Sequence, residues 1–223
     1  MLSKTMYSVP VFILSQAIDS LPNFEEKIVL NEPTGNFFYD EWQIKKQFKR
    51  TAWDSILESL PFPKGEARII KLEPGENYLS HADIDDRWHL TLKASNSFLI
   101  DLDLKKMHPT NVDGFWYSMD AGKLHTAANF GSHTRYQLVI RKPLSRCSFS
   151  NVLNVRIEPE NKERSDYRFV FDNIISPWLN TKNKQGVLTD FSYNENVVEF
   201  KIHATQKKDF ENIITKDFKV TYD

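Results

Sequence analysis

The chain has 223 residues, of which 40% are hydrophobic and 26% are charged, the proportions of an ordinary soluble globular protein. Its 29 lysine and arginine residues nearly cancel its 30 aspartate and glutamate residues. This balance excludes a bulk electrostatic case for binding nucleic acid or an anionic membrane, so we expect neither as a partner.

Cysteine usage and the N-terminal segment bear on the compartment. Cys147 is the only cysteine, which excludes an intrachain disulfide and a thiolate metal cluster. A chain without disulfides fits a reducing compartment. The apolar run at residues 9–14 is short and interrupted by Pro10, and it resembles neither a signal peptide nor a spanning helix. We therefore expect a cytoplasmic protein.

The first third of the chain predicts two helices. One covers residues 19–30, with Pro22 in its first turn and an apolar stripe behind it. The other begins after Thr51 as its cap and ends at the prolines of residues 61–63. Both helices are expected to flank a sheet and to carry no chemistry of their own.

The middle of the chain changes to short strands separated by turns. Two of them, at residues 88–93 and 97–102, predict a hairpin around residues 94–96. The full set of predicted strands is 67–72, 78–83, 88–93, 97–102, 115–119, 124–128 and 135–141. Strands at this spacing favour a mainly β domain over residues 1–145, with a double-stranded β-helix (jelly-roll or cupin-like) core and flanking helices.

Beyond residue 145 the pattern predicts a small α+β unit over residues 146–223. Its elements are strand 152–157, helix 166–179, strand 187–193, strand 197–203, helix 205–215 and strand 218–222, with a turn at 194–196. This βαββαβ order is that of a ferredoxin-like unit. Pro177 is an objection to the first helix, because proline ends or kinks a helix.

Four polar residues of the strand-rich region point to one site. His81 and Asp83 are two residues apart, so in an extended strand they project from the same face, roughly 6–7 Å apart. His125 follows Asp83 by 42 residues (125 − 83), and Arg135 follows His125 by ten (135 − 125). Two histidines and a carboxylate on one face of a metal are typical of non-haem Fe(II) oxygenases. A guanidinium nearby can hold a carboxylate with two hydrogen bonds.

These residues carry a family resemblance. The matching segments are 72–75 (LEPG), 81–83 (HAD), 87–90 (RWHL), 125–130 (HTAANF) and Arg135. Together they resemble the aspartyl/asparaginyl β-hydroxylase family, which includes bacterial proline-hydroxylase-like members and belongs to the Fe(II)/2-oxoglutarate-dependent dioxygenases. The resemblance covers residues 67–142, about a third of the chain.

The resemblance implies a metal centre and a co-substrate. His81, Asp83 and His125 would hold Fe(II), and three positions would stay open on the metal. In the family, 2-oxoglutarate takes two of these positions and O2 takes the last. Arg135 matches the arginine that pairs with the distal carboxylate of 2-oxoglutarate.

The segment after the HxD motif implies two further roles. His89 matches a histidine that contacts the metal-bound carboxylate of 2-oxoglutarate. Arg87 matches a position that contacts the substrate carboxylate in some members, and the alternative is an ion pair with Asp85 or Asp86. The Asp83–Arg87 separation is shorter than in the animal hydroxylases, which lack the carboxylate ligand that Asp83 supplies here.

Two more residues are predicted to line the substrate pocket, Trp116 and Asn129. The alternatives are core packing for Trp116 and loop capping for Asn129.

The sequence thus predicts an oxygenase that hydroxylates an amino-acid moiety, either a free amino acid or a peptidyl Asp, Asn or Pro-type residue. Two other hypotheses stay open: a non-catalytic cupin-like metal-binding module that engages a protein, and a cupin enzyme that does not use 2-oxoglutarate. Arg135 argues against both, since neither needs a carboxylate clamp beside the metal. The sequence does not determine the substrate or the oligomeric state.

Overall fold

The structure is a computed structural model that describes residues 2–161, 167–194 and 196–223. The protein is mainly β, with several antiparallel sheets and flanking helices, as the sequence predicts at that level. In the described part of the chain, no helix combines the length and the apolar character needed to cross a membrane.

Eleven strands and two helices lie within residues 2–141. The strands are β1 Leu2–Ser8, β2 Lys27–Val29, β3 Asn31–Pro33, β4 Trp42–Ile44, β5 Ala67–Leu72, β6 Arg87–Lys93, β7 Ser97–Asp101, β8 Lys106–Pro109, β9 Phe115–Met119, β10 His125–Asn129 and β11 Arg135–Arg141. The helices are α1 Val11–Asp19 and α2 Ala52–Glu58, with a 3-10 turn at Lys46–Phe48 between them.

These strands form a six-stranded sheet in the order β1-β9-β6-β11-β5-β2 and a three-stranded sheet in the order β10-β7-β8. A separate pair, β3-β4, completes this part. The predicted hairpin of residues 88–93 and 97–102 is wrong, because β6 and β7 lie in different sheets. β6 pairs with β9 and β11, and β7 pairs with β10 and β8, so neither strand has a free edge for the other. Residues 94–96 therefore cross between the sheets.

The predicted helix at residues 19–30 is also wrong. Helix α1 ends at Asp19, and residues 27–29 form β2 on the edge of β5, with Ile28 opposite Ile69. Adjacent β-branched residues favour a strand where a sheet edge offers hydrogen-bond partners, and this tertiary pairing outweighs the local helical spacing. Leu14 and Ala17 of α1 are buried in the core instead.

The second predicted helix is confirmed as α2. The hydroxyl of Thr51 accepts a hydrogen bond from the backbone N–H of Trp53 at 3.2 Å, which caps the helix as expected. Trp53, Ile56 and Leu57 are its buried residues and face the six-stranded sheet's core cluster.

The C-terminal unit has the predicted order of strand, helix, strand, strand, helix and strand. Its elements are β12 Val152–Pro159, α3 Tyr167–Val170, a π-helix at Phe171–Ile175, α4 Ser176–Lys184, β13 Leu188–Asn194, β14 Val197–His203, a 3-10 turn at Ala204–Gln206, α5 Lys207–Ile213 and β15 Phe218–Tyr222. The antiparallel sheet has the order β13-β14-β12-β15. Residue 166 of the predicted helix and residue 195 of the predicted turn lie outside the described residues.

The core of the C-terminal unit includes residues from the rest of the chain. Tyr39, Ile84 and Leu144 belong to the same buried cluster as Phe200 and Phe210. The hydroxyl of Tyr39 also accepts a hydrogen bond from the backbone N–H of Phe191 at 2.7 Å. The C-terminal unit is therefore packed directly against the segment that carries the candidate ligands.

Candidate metal centre

The structure brings His81, Asp83 and His125 together. One candidate ligand atom from each of the three side chains lies within 4.8 Å of the others. His81 and His125 face each other across an antiparallel bridge, in which each backbone N–H donates to the other's carbonyl at 3.0 and 2.9 Å. The backbone N–H of Asp83 donates to the carbonyl of Ala121 at 2.8 Å, which ties the second ligand segment to the turn before β10.

The prediction of a continuous strand at residues 78–83 is wrong. Only isolated bridges connect this segment to β10, at Asn77–Ala128 and His81–His125. The segment turns away after His81 because the next backbone hydrogen bonds run from Ala82 to Asp172 and from Asp83 to Ala121, on two different neighbours. Convergence of the ligands thus depends on this turn as well as on strand alternation.

Both imidazoles are oriented in the same way by backbone carbonyls. Nδ1 of His81 lies 2.9 Å from the carbonyl oxygen of Leu79, and Nδ1 of His125 lies 2.8 Å from that of Lys123. A carbonyl oxygen only accepts, so Nδ1 carries the proton in the neutral form of each ring, and the lone pair of that form is on Nε2. Hydrogen bonds of this kind fix the tautomer of metal-binding histidines.

Burial and neighbouring charges favour the protonation states in which His125 and Asp83 can bind a metal. Burial, with the neighbouring His81 next, lowers the pKa of His125 to about 4, so His125 is neutral near pH 7. Burial works to raise the pKa of Asp83, but the neighbouring Arg87, His81 and His125 together outweigh it, and the pKa falls to about 2. Asp83 is therefore ionised, with Oδ2 3.9 Å from Nε2 of His125. Two imidazoles and one carboxylate suit Fe(II) and related divalent ions.

The three candidate ligands lie on the wall of a cavity of about 930 Å³. His89 of β6 and Gln137 of β11 also line this cavity. Both are buried, and among the described residues neither ring nitrogen of His89 nor Oε1 of Gln137 has a hydrogen-bond partner. Burial, with Arg135 next, holds the pKa of His89 well below its usual value, so this imidazole is neutral. Buried polar groups without partners are rare in folded proteins, and here they face a space that a polar ligand can fill.

Arg135 is the first residue of β11 and lies opposite Leu72 on β5. It is 2% exposed and lines the same cavity. No acidic side chain of the described residues pairs with it, and its Nε has no hydrogen-bond partner among them. Burial lowers the pKa of Arg135 to about 10, which leaves it charged at neutral pH. A buried guanidinium without a counter-charge is costly, and an anionic ligand in the cavity would offset that cost.

Arg87 lines the cavity, but its guanidinium is already bound to two carboxylates. Nη2 lies 2.8 Å from Oδ1 of Asp83, and Nη1 forms an ion pair with Asp85. Asp85 is buried and is also paired with Nε of Arg141. The predicted alternative for Arg87, an ion pair with Asp85, is therefore present, and Arg87 also orients the candidate ligand Asp83.

Trp116 and Asn129 do not line the cavity. Trp116 is fully buried in the core cluster of α1, α2 and the six-stranded sheet, where its Nε1 donates to Oγ of Ser59 at 2.8 Å. Asn129 is fully buried, and its Nδ2 donates to the carbonyls of Leu72 and His133, both at 2.9 Å. These placements correspond to the alternatives of core packing and loop capping.

Sequence reasoning missed Gln137 and the pairing of Asp85 with Arg141. Gln137 follows Arg135 by two residues on a strand, so side-chain alternation places both on the cavity face, and this signal was available. The pairing of Asp85 with Arg141 has no such signal, because it joins residues 56 apart in the chain.

No protein-family model matches the chain, and no curated protein matches it.

Proposed function

We propose that the protein is an Fe(II)/2-oxoglutarate-dependent dioxygenase that hydroxylates an amino-acid moiety, as members of the aspartyl/asparaginyl β-hydroxylase family do. The observation that carries the proposal is one cavity holding both a His81/Asp83/His125 group and the buried Arg135, which has no acidic partner among the described residues. A metal-binding module without a co-substrate has no need for an uncompensated guanidinium beside the metal.

We also propose a fold for each of the two parts of the chain. The six-stranded and three-stranded sheets are joined by the short crossing at residues 94–96, and the ligands lie where His81 bridges to β10. This arrangement supports a double-stranded β-helix over residues 1–145. The strand order β13-β14-β12-β15 and the βαββαβ sequence of elements support a ferredoxin-like unit over residues 146–223.

Each residue of the cavity then has a specific task. Nε2 of His81, Nε2 of His125 and Oδ2 of Asp83 hold the metal. Arg135 pairs with the distal carboxylate of 2-oxoglutarate, for which a planar fork is better suited than a lysine ammonium. His89 is neutral and buried, so it offers one N–H donor to the carboxylate end of the co-substrate.

Bound Fe(II) with 2-oxoglutarate and O2 supplies the oxidation, in which 2-oxoglutarate becomes succinate and carbon dioxide while one oxygen atom enters a substrate C–H bond. The substrate class, a free amino acid or a peptidyl Asp, Asn or Pro-type residue, follows from the family resemblance.

The first test is thermal unfolding with Mn(II), with and without 2-oxoglutarate. The expected result is a rise in Tm with Mn(II) and a further rise with 2-oxoglutarate that requires the metal. A metal-binding module or a cupin enzyme of another type gives the first rise without the second.

The second test is turnover of 2-oxoglutarate to succinate by Fe(II)-loaded protein. His81→Ala is expected to abolish it, and the matched control is His133→Ala. His133 is an exposed histidine, and among the described residues the hydrogen-bond partner of its ring is Oγ of Ser132. Wild-type turnover with full iron dependence in His81→Ala would show that the ligand assignment is wrong.

A further inference from the structure

The helical segment of the C-terminal unit, residues 167–184, contacts the backbone on both sides of the peptide bond between Ala82 and Asp83. The N–H of Ala82 donates to the carbonyl of Asp172 at 2.8 Å. The carbonyl of Asp83 accepts a hydrogen bond from Nδ2 of Asn180 at 3.1 Å. Asn180 is 2% exposed, so this bond is protected from water.

The carbonyl of Asp172 is available because of a local change in helix register. In an α-helix it would accept from the N–H of Ser176, but that N–H donates to the carbonyl of Phe171 in the π-helix. The next possible donor along the helix is residue 177, which is proline and has no N–H. The π-helix and Pro177 together leave one carbonyl without a helical partner, and Ala82 takes it.

Asn180 also lies against the segment that leads to the third candidate ligand. A Cβ atom added to Gly122 would be 2.4 Å from both Cγ and Oδ1 of Asn180, so the amide packs directly on the glycine backbone. Gly122 is three residues before His125, and its neighbour Ala121 accepts the hydrogen bond from the N–H of Asp83. One buried amide therefore contacts both chain segments that carry ligands.

We propose that Asn180 is a positioning residue of the metal centre, and that it sets the separation of Asp83 from His125 by holding the backbone of both segments. This inference rests on the metal centre of the proposed function. It also gives the C-terminal unit a role, because a domain distant in sequence supplies contacts that fix the ligand geometry.

Removal of the Asn180 amide is expected to lower the affinity for the metal while all three ligands are kept. Residues that orient metal ligands by hydrogen bonds change metal affinity roughly 10- to 100-fold when they are removed. Without the Asn180 amide, the carbonyl of Asp83 has no donor from α4, and the turn carrying this ligand keeps only the backbone hydrogen bonds of Ala82 and Asp83 to hold its position relative to β10.

The experiment uses the full chain with Co(II) as the probe, read by titration and by the visible absorption spectrum of the bound ion. The variants are Asn180→Asp, which keeps the shape but removes the donor, and Asn180→Ala, which removes the side chain. Both are expected to weaken Co(II) binding roughly 10-fold or more and to alter the spectrum.

The matched control is Val198→Ala in β14. Val198 is 2% exposed, belongs to the same core cluster as Trp178 and Leu179 of α4, and has no polar side-chain group. This variant is expected to lower the stability of the C-terminal unit while keeping the wild-type Co(II) affinity and spectrum. If it weakens Co(II) binding as much as the Asn180 variants do at equal loss of Tm, the positioning role is overturned.

The remaining outcomes separate this inference from the proposed function. Wild-type protein that does not bind Co(II) overturns the metal centre itself. Wild-type protein that binds Co(II), with Asn180→Asp and Asn180→Ala binding equally well and giving the same spectrum, overturns only the inference.

Discussion

Nη2 of Arg87 lies 2.8 Å from Oδ1 of Asp83, so one oxygen of the candidate metal ligand is held by a buried guanidinium while the other faces His125. The same guanidinium forms an ion pair with Asp85, which also binds Arg141. Two arginines and two aspartates thus form one connected group that includes Asp83 of the candidate metal centre. Its charges balance only while all four side chains are present.

Arg87→Met is expected to lower the free energy of unfolding by about 3 kcal/mol, because it leaves buried carboxylates with too few partners. Arg87→Lys keeps the charge but cannot bridge Asp83 and Asp85 in a planar fork, so an intermediate loss is expected. Urea unfolding of the metal-free protein measures both. Arg156→Met is the control, since Arg156 forms exposed pairs on β12 and its loss should change stability little. Equal stability of Arg87→Met and wild type would contradict the prediction.

Arg135→Met is expected to stabilise the ligand-free protein by about 1 kcal/mol, because it replaces a buried, unpaired charge by an apolar chain of similar length. The same variant is expected to lose the additional rise in Tm that 2-oxoglutarate gives in the presence of Mn(II). Both effects are read from thermal unfolding.

The matched control is Arg68→Met, on the same cavity wall, where the arginine is paired with Glu66 at 2.7 Å. It should keep the response to 2-oxoglutarate. A large destabilisation in Arg135→Met would mean that the guanidinium has a partner that the structure does not show.

Asn129→Ala is expected to lower the free energy of unfolding by about 2 kcal/mol, since the carbonyls of Leu72 and His133 and the N–H of Gly131 all lose a partner. The affinity for 2-oxoglutarate should stay at the wild-type value, measured at a temperature where the variant is folded. A change in affinity with unchanged stability would instead support the role in substrate binding that its sequence position suggested.

Pro177→Ala restores an N–H that can donate to the carbonyl of Asp172. The change in the free energy of unfolding is expected to be below about 1 kcal/mol, since proline is tolerated in the first turn of α4. Metal affinity is nevertheless expected to fall, because the new N–H competes with that of Ala82.

Calorimetric titration with Mn(II) measures the effect of Pro177→Ala on affinity. Pro109→Ala, at an exposed position of β8, controls for the general effect of removing a proline. Unchanged Mn(II) affinity in Pro177→Ala would indicate that the contact from Ala82 to Asp172 does not influence the ligands.

The candidate ligands and Arg135 could be selected from the sequence, because residue type and spacing alone point to them. His81, Asp83 and His125 carry the donor atoms, and side-chain alternation along β11 directs Arg135 and Gln137 to one face. The resemblance to a known family led us to select these four residues, and the structure brings them to one cavity.

The errors arose where a position depends on tertiary pairing. Trp116 points into the core because of its place in the pleat of β9, and a shift of one residue would have reversed it. Residues 27–29 became a strand because β5 offered them an edge. The contact between Asn180 and Asp83 joins residues 97 apart and leaves no local pattern to detect.

The bridge between His81 and His125 lies at the two ends of a long loop, so a metal bound there would restrain that loop. A divalent ion bound by both rings would act as a crosslink that closes a loop of 44 residues (125 − 81). A disulfide crosslinks other proteins in this way, but Cys147 is the only cysteine of this chain. Unlike a disulfide, this closure is reversible by a chelator. Metal supply would therefore control how firmly the β7–β8 region is fastened to the rest of the molecule, and amide hydrogen exchange in that region would report the difference.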